Sequence, residues 1–182
     1  MSTAQPTFDD VWRLFQETDR RFQETDRRFQ ETDRKIEKVS EAIGRLGNRL
    51  GDFIEDAVRP SAVRLFRERS IEVHEVHQNI EAQRGDEGIE VDLLVVNDTD
   101  AVAIECKSNL TLDDVKSHVK RLAKLKRLLP TYADKHLLGA VAAMVIPENV
   151  AKYAYRQGLY VLGQSGEHLT IRNDADFTPV VW

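Results

Sequence analysis

The stretch GIEVDLLVVNDTDAVAIECKS, residues 88–108, decides the fold. Two runs rich in Val, Ile and Leu, at 89–96 and 101–107, flank Asn97, Asp98, Thr99 and Asp100, four residues that favour a tight turn. A two-residue loop at Asp98 and Thr99 sets Leu94 against Ala103, Asp92 opposite Glu105 and Glu90 opposite Lys107. Directly opposed residues of a hairpin share a face. One face then carries Val91, Leu93 and Val95 with Val102, Ile104 and Cys106, all apolar. The other starts with Leu94 over Ala103 and ends in charge, with Asp92, Glu105, Glu90 and Lys107 together.

Working outward, the residues before the hairpin predict a helix over 52–69 with apolar Phe53, Ile54, Ala57, Val58, Val63, Leu65 and Phe66, kinked or divided at Pro60. A strand is expected over 71–76 and a polar loop over 83–88. Beyond the hairpin, 112–129 has helical spacing and stops at Pro130, and 137–146 is a nearly uncharged run suited to a strand buried on both faces. A short helix over 147–157 has Pro147 at its start and Gly158 just past its end; short strands at 159–162 and 168–171 follow. The expected class is α/β, a mixed central sheet flanked by helices and preceded by a long N-terminal coiled-coil helix.

That leading segment repeats. FQETDRR occurs at 15–21 and 22–28 and FQETDRK at 29–35, a seven-residue period. With Phe15 at position a, the a positions are Phe8, Phe15, Phe22, Phe29, Ile36, Ile43 and Leu50, and the d positions are Val11, Thr18, Thr25, Thr32, Val39, Leu46 and Phe53. Arg21, Arg28 and Lys35 at g would face Asp26 and Asp33 at e of a parallel partner, and Glu17, Glu24 and Glu31 stand four residues before those cations on the same helix. Threonine at three d positions weakens the seam, so a single solvated helix is the competing reading. Gly44, Gly47 and Gly51, at outer b and e positions, suggest a hinge or a place where another backbone packs close. The domain division is therefore 1–50, a heptad-repeat coiled coil that self-associates through 8–53, and 51–182, a globular domain.

Composition bounds the rest. The 182 residues carry 26 basic and 31 acidic side chains, a net charge of −5; residues 1–50 balance at 10 and 10, so the excess acid lies beyond them. One cysteine closes no intramolecular disulfide, no apolar run suits a membrane helix, and residues 1–10 show no leader segment; a soluble cytoplasmic protein without a membrane partner is expected. The acidic total excludes indiscriminate coating of nucleic acid. It leaves a local basic contact open, and the 112–129 helix offers one in the stripe Lys116, Lys120, Lys124 and Arg127.

Two carboxylates about 5 Å apart at Cβ repel unless a proton or cation lies between them. A hard divalent ion such as Mg²⁺ or Mn²⁺ takes one or two carboxylates, several waters and phosphate oxygens, and Lys107 beside it can hold a developing negative charge. A plain Glu90–Lys107 ion pair on a solvated face is the bland alternative. His77 is expected in a structural role, with an approach to the same face as the alternative.

Asp92 followed by Glu105-Cys106-Lys107 on the next strand, preceded by a helix carrying Glu55, resembles the PD-(D/E)xK nuclease superfamily. It resembles in particular its Holliday-junction-resolvase-like and prokaryotic branches with a coiled coil in front. The resemblance covers roughly residues 46–182. It implies a restriction-endonuclease-like αβββαβ core, Mg²⁺ (or Mn²⁺) held by Asp92, Glu105 and the Cys106 carbonyl, a water oriented or activated by Lys107, and Glu55 completing the site. It implies hydrolysis of DNA phosphodiester bonds, in duplex or branched DNA, by an oligomeric endonuclease. Val91 stands where the motif's name has proline, and the helix after Lys107 lacks the glutamine and tyrosine of the exonuclease branch. A catalytically inactive nucleic-acid- or protein-binding module, or a coiled-coil scaffold, are the alternatives.

Overall fold

The computed structural model describes residues 7–166 and 168–182, with the side chains at 48 and 49 outside the description; residues 1–6, part of the segment read as lacking a leader, also lie outside it. The chain divides into two units, Met1–Asn48 and Arg49–Trp182.

Helix α1 spans Phe8–Arg67. The separate helix expected over 52–69 is thus corrected: Gly44, Gly47, Gly51 and Pro60 all lie inside one helix. Each glycine costs a helix about 1 kcal/mol, which neighbouring good helix formers offset. Pro60 removes one hydrogen bond to the Asp56 carbonyl; both residues are exposed, so water can satisfy that oxygen.

In the first unit the heptad residues are exposed, Phe15, Phe22 and Phe29 each by about two-thirds (69%, 66% and 64%). Thr18, Thr25 and Thr32 donate their hydroxyls to the carbonyls of Leu14, Arg21 and Arg28 at 2.8, 2.7 and 2.8 Å. Arg21 pairs with Glu17 at 2.6 Å and Arg28 with Glu24 at 2.7 Å, as the spacing predicts; Glu31 pairs with Arg27 instead of Lys35.

The second unit is a six-stranded sheet in sequential order: β1 (Glu75–Arg84), β2 (Glu87–Val96), β3 (Asp100–Asn109), β4 (His136–Val145), β5 (Tyr160–Ser165) and β6 (His168–Ile171). The β1–β2–β3 and β5–β6 pairings are antiparallel, and β3–β4–β5 are parallel. Helices α2 (Leu112–Leu128) and α3 (Glu148–Arg156) supply the crossovers. Ile54, Val58, Ala62, Leu65 and Phe66 of α1 pack with Leu93, Val95, Val102, Ile104 and Cys106. On the other side Val115, Leu122 and Leu125 of α2 and Val150 and Ala154 of α3 pack with Leu94, Ala103 and Val141. This is the mixed sheet with helices on both faces that the sequence predicts.

Two expectations need correction at the sheet edge. The strand expected over 71–76 lies mostly later, and the loop expected over 83–88 belongs to a β1–β2 hairpin whose two-residue turn is Gly85-Asp86. Gly85 has φ +59°, the left-handed backbone that primed hairpin turns require. At the end of α3, Gly158 at φ +77° lets Leu159 reach back to the Ala154 carbonyl at 3.1 Å, so the stop expected there forms as a Schellman-type cap.

Candidate active site

The β2–β3 register is the predicted one, with Leu94 opposite Ala103 and Leu93 opposite Ile104, but the ladder stops there. On its other edge β3 stays paired to β4 through Asn109. β2 therefore leaves β3 just where the charged residues begin. Continued, the register would set Asp92 opposite Glu105 and then Val91 opposite Cys106; instead the Cys106 N–H donates to the Asp92 Oδ2 at 2.7 Å. Within an antiparallel rung a residue's N–H and C=O point the same way, so the Cys106 carbonyl also faces the gap.

Asp92 (8% exposed) and Glu105 (2% exposed) are buried carboxylates on adjacent strands. Lys107 Nζ lies 2.7 Å from Glu105 Oε1 and 3.8 Å from Asp92 Oδ2. The other Glu105 oxygen accepts from Arg121 of α2, and His118 Nδ1 stands 3.7 Å from it. A capping box at Thr111 and Asp114 starts α2 directly after β3, so that His118 and Arg121, one and two helical turns past Asp114, reach the carboxylate.

The electrostatics follow from this arrangement. Burial, and then the Glu105 charge, push the Asp92 carboxyl up against the Cys106 hydrogen bond and Lys107. Burial alone would raise Glu105 too, but hydrogen bonds from Arg121 and Lys107 hold it below the ordinary range. Lys107 resists burial and is raised by its hydrogen bond to Glu105 and by both carboxylates, so it is an ammonium at neutral pH. Glu55, half-buried on α1, is pushed up to about 7 by burial and then by the charges of Asp92 and Asp52. Burial drives His118 down to about 4; it is neutral, and its Nε2–H donates to the Ala103 carbonyl at 3.2 Å. Burial raises the Cys106 thiol, which packs on the α1 side and is no nucleophile.

The structure thus brings Asp92, Glu105, Cys106 and Lys107 together, with Glu55 close enough to feel Asp92. Glu90 is a correction: it pairs across β1–β2 with Glu81, not with Lys107, because β2 has already left β3. Val91, expected on the same face as Leu93 and Val95, packs on the opposite, α2 side. His77 hydrogen-bonds Glu75 at 2.9 Å, away from the carboxylates. The basic stripe is divided. Lys124 donates to the Gly88 carbonyl at 2.8 Å, Arg127 binds Glu87 and Lys116 pairs with Asp113 at 3.0 Å, while Lys120 is exposed and pairs with no carboxylate among the described residues. Sequence reasoning missed His118 and Arg121. One signal was present: His118 occupies an apolar-stripe position between Val115 and Leu122.

Among the described residues no three His, Cys, Asp or Glu side chains form a ready metal cage. Two carboxylates and a backbone carbonyl are instead the donor set of a hard ion that keeps most of its waters, and the raised Asp92 carboxyl marks negative charge that such an ion relieves. The residues present fit Mg²⁺ or Mn²⁺ in that sense. No helix among the described residues is long and apolar enough to cross a membrane.

A family model described as a protein of unknown function (DUF3782) matches residues 13–84, ending before Asp92. No curated protein matches the sequence. Among solved structures, the chain is similar to AF1548, a protein of unknown function (TM-score 0.40, 20% identity, covering 59% of this chain and 56% of that one). It is also similar to a repair endonuclease from Pyrococcus abyssi (TM-score 0.37, 21% identity, 57% and 45% covered) and to EndoMS in the EndoMS-dsDNA2 complex (TM-score 0.34, 15% identity, 60% and 45% covered). The chain spans about half the length of these structures.

Proposed function

We propose that the chain is a metal-dependent nuclease that hydrolyses DNA phosphodiester bonds at Asp92, Glu105 and Lys107, and that residues 8–53 bring copies together. The observation that carries this reading is the opening between β2 and β3. Beside it lie two buried carboxylates and an ammonium, with the Cys106 N–H donating to Asp92, and this supports the reading. Asp92, Glu105 and the Cys106 carbonyl would hold Mg²⁺ or Mn²⁺, with Glu55 reaching the ion or a water on it. Bound there, the ion supplies Lewis-acid polarisation of a phosphate and a water of lowered pKa. Lys107, charged throughout the neutral range, orients the attacking water by donating to it and offsets negative charge that develops on the phosphate. Arg121 neutralises Glu105 and adds positive charge on the α2 side, and Lys120 meets the DNA backbone.

A non-catalytic nucleic-acid-binding module is the second reading, favoured by the joint hold of Lys107 and Arg121 on Glu105. Incubation with plasmid, linear and four-way-junction DNA in Mg²⁺ or Mn²⁺, beside Asp92→Ala and Lys107→Ala, separates the two. Cleavage by the wild type and a loss of at least 10²-fold in both variants is expected. Equal cleavage by all three would expose a contaminant. DNA binding without cleavage, and no thermal stabilisation of the wild type by Mn²⁺, would establish the binding module.

A further inference from the structure

Alternation along β1 and β2 breaks at a single rung. In β2, Leu93 and Val95 pack on the α1 side and Leu94 and Val96 on the α2 side, as period two requires. Val91 and Ile89 should then join Leu93 on the α1 side, yet both pack on the α2 side. β1 does the same: Val76 packs on the α1 side and Gln78 takes a 2.8 Å hydrogen bond from Arg59 of α1, whereas Ile80 and Ala82, of the same parity, pack on the α2 side. Both strands change faces together, between residues 78 and 80 and between 91 and 93. The register is the same before and after, Gln78 opposite Leu93 and Ile80 opposite Val91, so no residue is inserted in either strand. Between them stand Asn79 and Asp92, opposed by that register but left unpaired in the ladder.

Asn79 has φ +50°. The other described non-glycine residue with positive φ, Ser70, follows the C-terminus of α1, where a left-handed residue ends a helix. Asn79 is in mid-strand and exposed, so neither helix capping nor core packing accounts for it. Its backbone supplies the half-turn by which the β1–β2 ribbon rolls over. Past the rung the rolled end is tied to α2, by Lys124 to the Gly88 carbonyl at 2.8 Å and by Arg84 to the Leu128 carbonyl at 2.9 Å. That departure deprives Cys106 of its ladder partner and turns Asp92 into the gap.

We infer that Asn79 is a positioning residue for the nuclease site: its left-handed backbone rolls the β1–β2 ribbon at the Asp92 rung and thereby aims the Asp92 carboxylate at the Cys106 N–H and the gap beside Glu105. Asparagine suits the position because, glycine aside, it is among the residues that best tolerate this conformation, whereas a β-branched residue is excluded from it. The inference rests on Asp92 serving as a working carboxylate, but its central readout does not depend on catalysis.

The test compares Asn79→Gly, Asn79→Ala and Asn79→Val with the wild type by amide hydrogen exchange in metal-free buffer, followed by NMR. The Cys106 N–H has Asp92 as its acceptor. In Asn79→Val its exchange should quicken at least tenfold relative to amides of the intact β2–β3 ladder, and in Asn79→Gly it should match the wild type. Should Asn79→Val lose protection across the whole sheet, Asn79→Ala is judged by the same comparison. Unchanged Cys106 protection in the folded variant overturns the inference. Loss in Asn79→Gly equal to that in Asn79→Val also overturns it, since the side chain rather than the backbone would then be responsible. Where the wild type cleaves DNA, turnover should fall in Asn79→Val with KM held, and Asn79→Gly should restore it. If no form cleaves, the nuclease reading fails while the exchange result still decides the positioning role.

Discussion

Asp92 and Glu55 carry the clearest cost in the fold, because both carboxyls titrate above their ordinary values of 3.8 and 4.5. For Asp92 the causes are burial and then Glu105; for Glu55 they are burial and then Asp92. A carboxyl raised on folding contributes its full stability below the unfolded pKa and loses it as the pH climbs through the folded pKa, which for Glu55 is about 7. Asp92→Asn keeps an oxygen to accept from the Cys106 N–H while removing the charge. In EDTA at pH 8, Asp92→Asn and Glu55→Gln should each raise Tm by a few degrees, of the order of 2–4 °C per kcal/mol for a chain of this size. At pH 4 the gain should shrink, sharply for Glu55→Gln, since the wild-type Glu55 carboxyl is then protonated in the folded state, and in the same direction for Asp92→Asn, whose carboxyl is also raised. Thermal melts at the two pH values decide the matter, and a lower Tm at pH 8 would show Asp92 to be a net stabilising partner of Lys107. The same residues explain why much of the site was legible. Hairpin register put Asp92, Glu105 and Lys107 on one face and the family resemblance suggested their roles, whereas the Asn79 roll, which turns Val91 to the other face, leaves no mark in an alternation of apolar and polar residues.

Elements whose buried faces are continuous were readable: β2, β3, β4 and α2 differ from their predicted spans by a residue or two at either end. β1 was misplaced because Glu75–Arg84 is a polar edge strand, EVHQNIEAQR, with only half-buried positions to betray its period. The contribution of α2 to the site was hidden for a different reason, since the reach of His118 and Arg121 to Glu105 depends on how the helix packs over β3. Its cations have distinct jobs. Lys124 fastens the rolled hairpin, and a charged donor to a carbonyl contributes about 1.5–3 kcal/mol when well shielded and less at a half-exposed position. Lys124→Ala should therefore lower Tm by several degrees. Lys120→Ala should leave Tm within a degree, weaken DNA binding and reduce the salt dependence of log K by about 0.9. Melting curves and a salt titration of binding read both; identical effects of the two substitutions would mean that the tie to Gly88 does not form.

For the molecule as a whole, the unanswered demand is the apolar stripe of residues 8–53, which the single chain leaves in water. A helix that exposes Phe8, Phe15, Phe22, Phe29, Ile36 and Ile43 on one stripe has the pattern of a seam, and the partner we propose for it is a second copy, because g-position Arg21 and Arg28 would meet e-position Asp26 and Asp33 in a parallel, in-register pairing. Threonine at d looked adverse in the sequence. With Thr18, Thr25 and Thr32 donating to the helix's own carbonyls, their hydroxyl demand is met locally and the methyl is left for the seam. The oligomer we propose has a functional consequence, for each strand of a duplex needs its own cut and one chain carries one such site. Phe22→Glu with Phe29→Glu places like charges into the seam and should shift the protein to the 20.8 kDa monomer in sedimentation equilibrium. The same variant should turn plasmid linearisation into nicking while keeping the rate of single-strand cleavage. Thr25→Ile should do the reverse, strengthening association by filling a d position. A wild type that sediments as a monomer at tens of micromolar, with linearisation unaffected by the glutamates, would assign residues 8–53 to a solvated single helix and leave each globular domain to act alone.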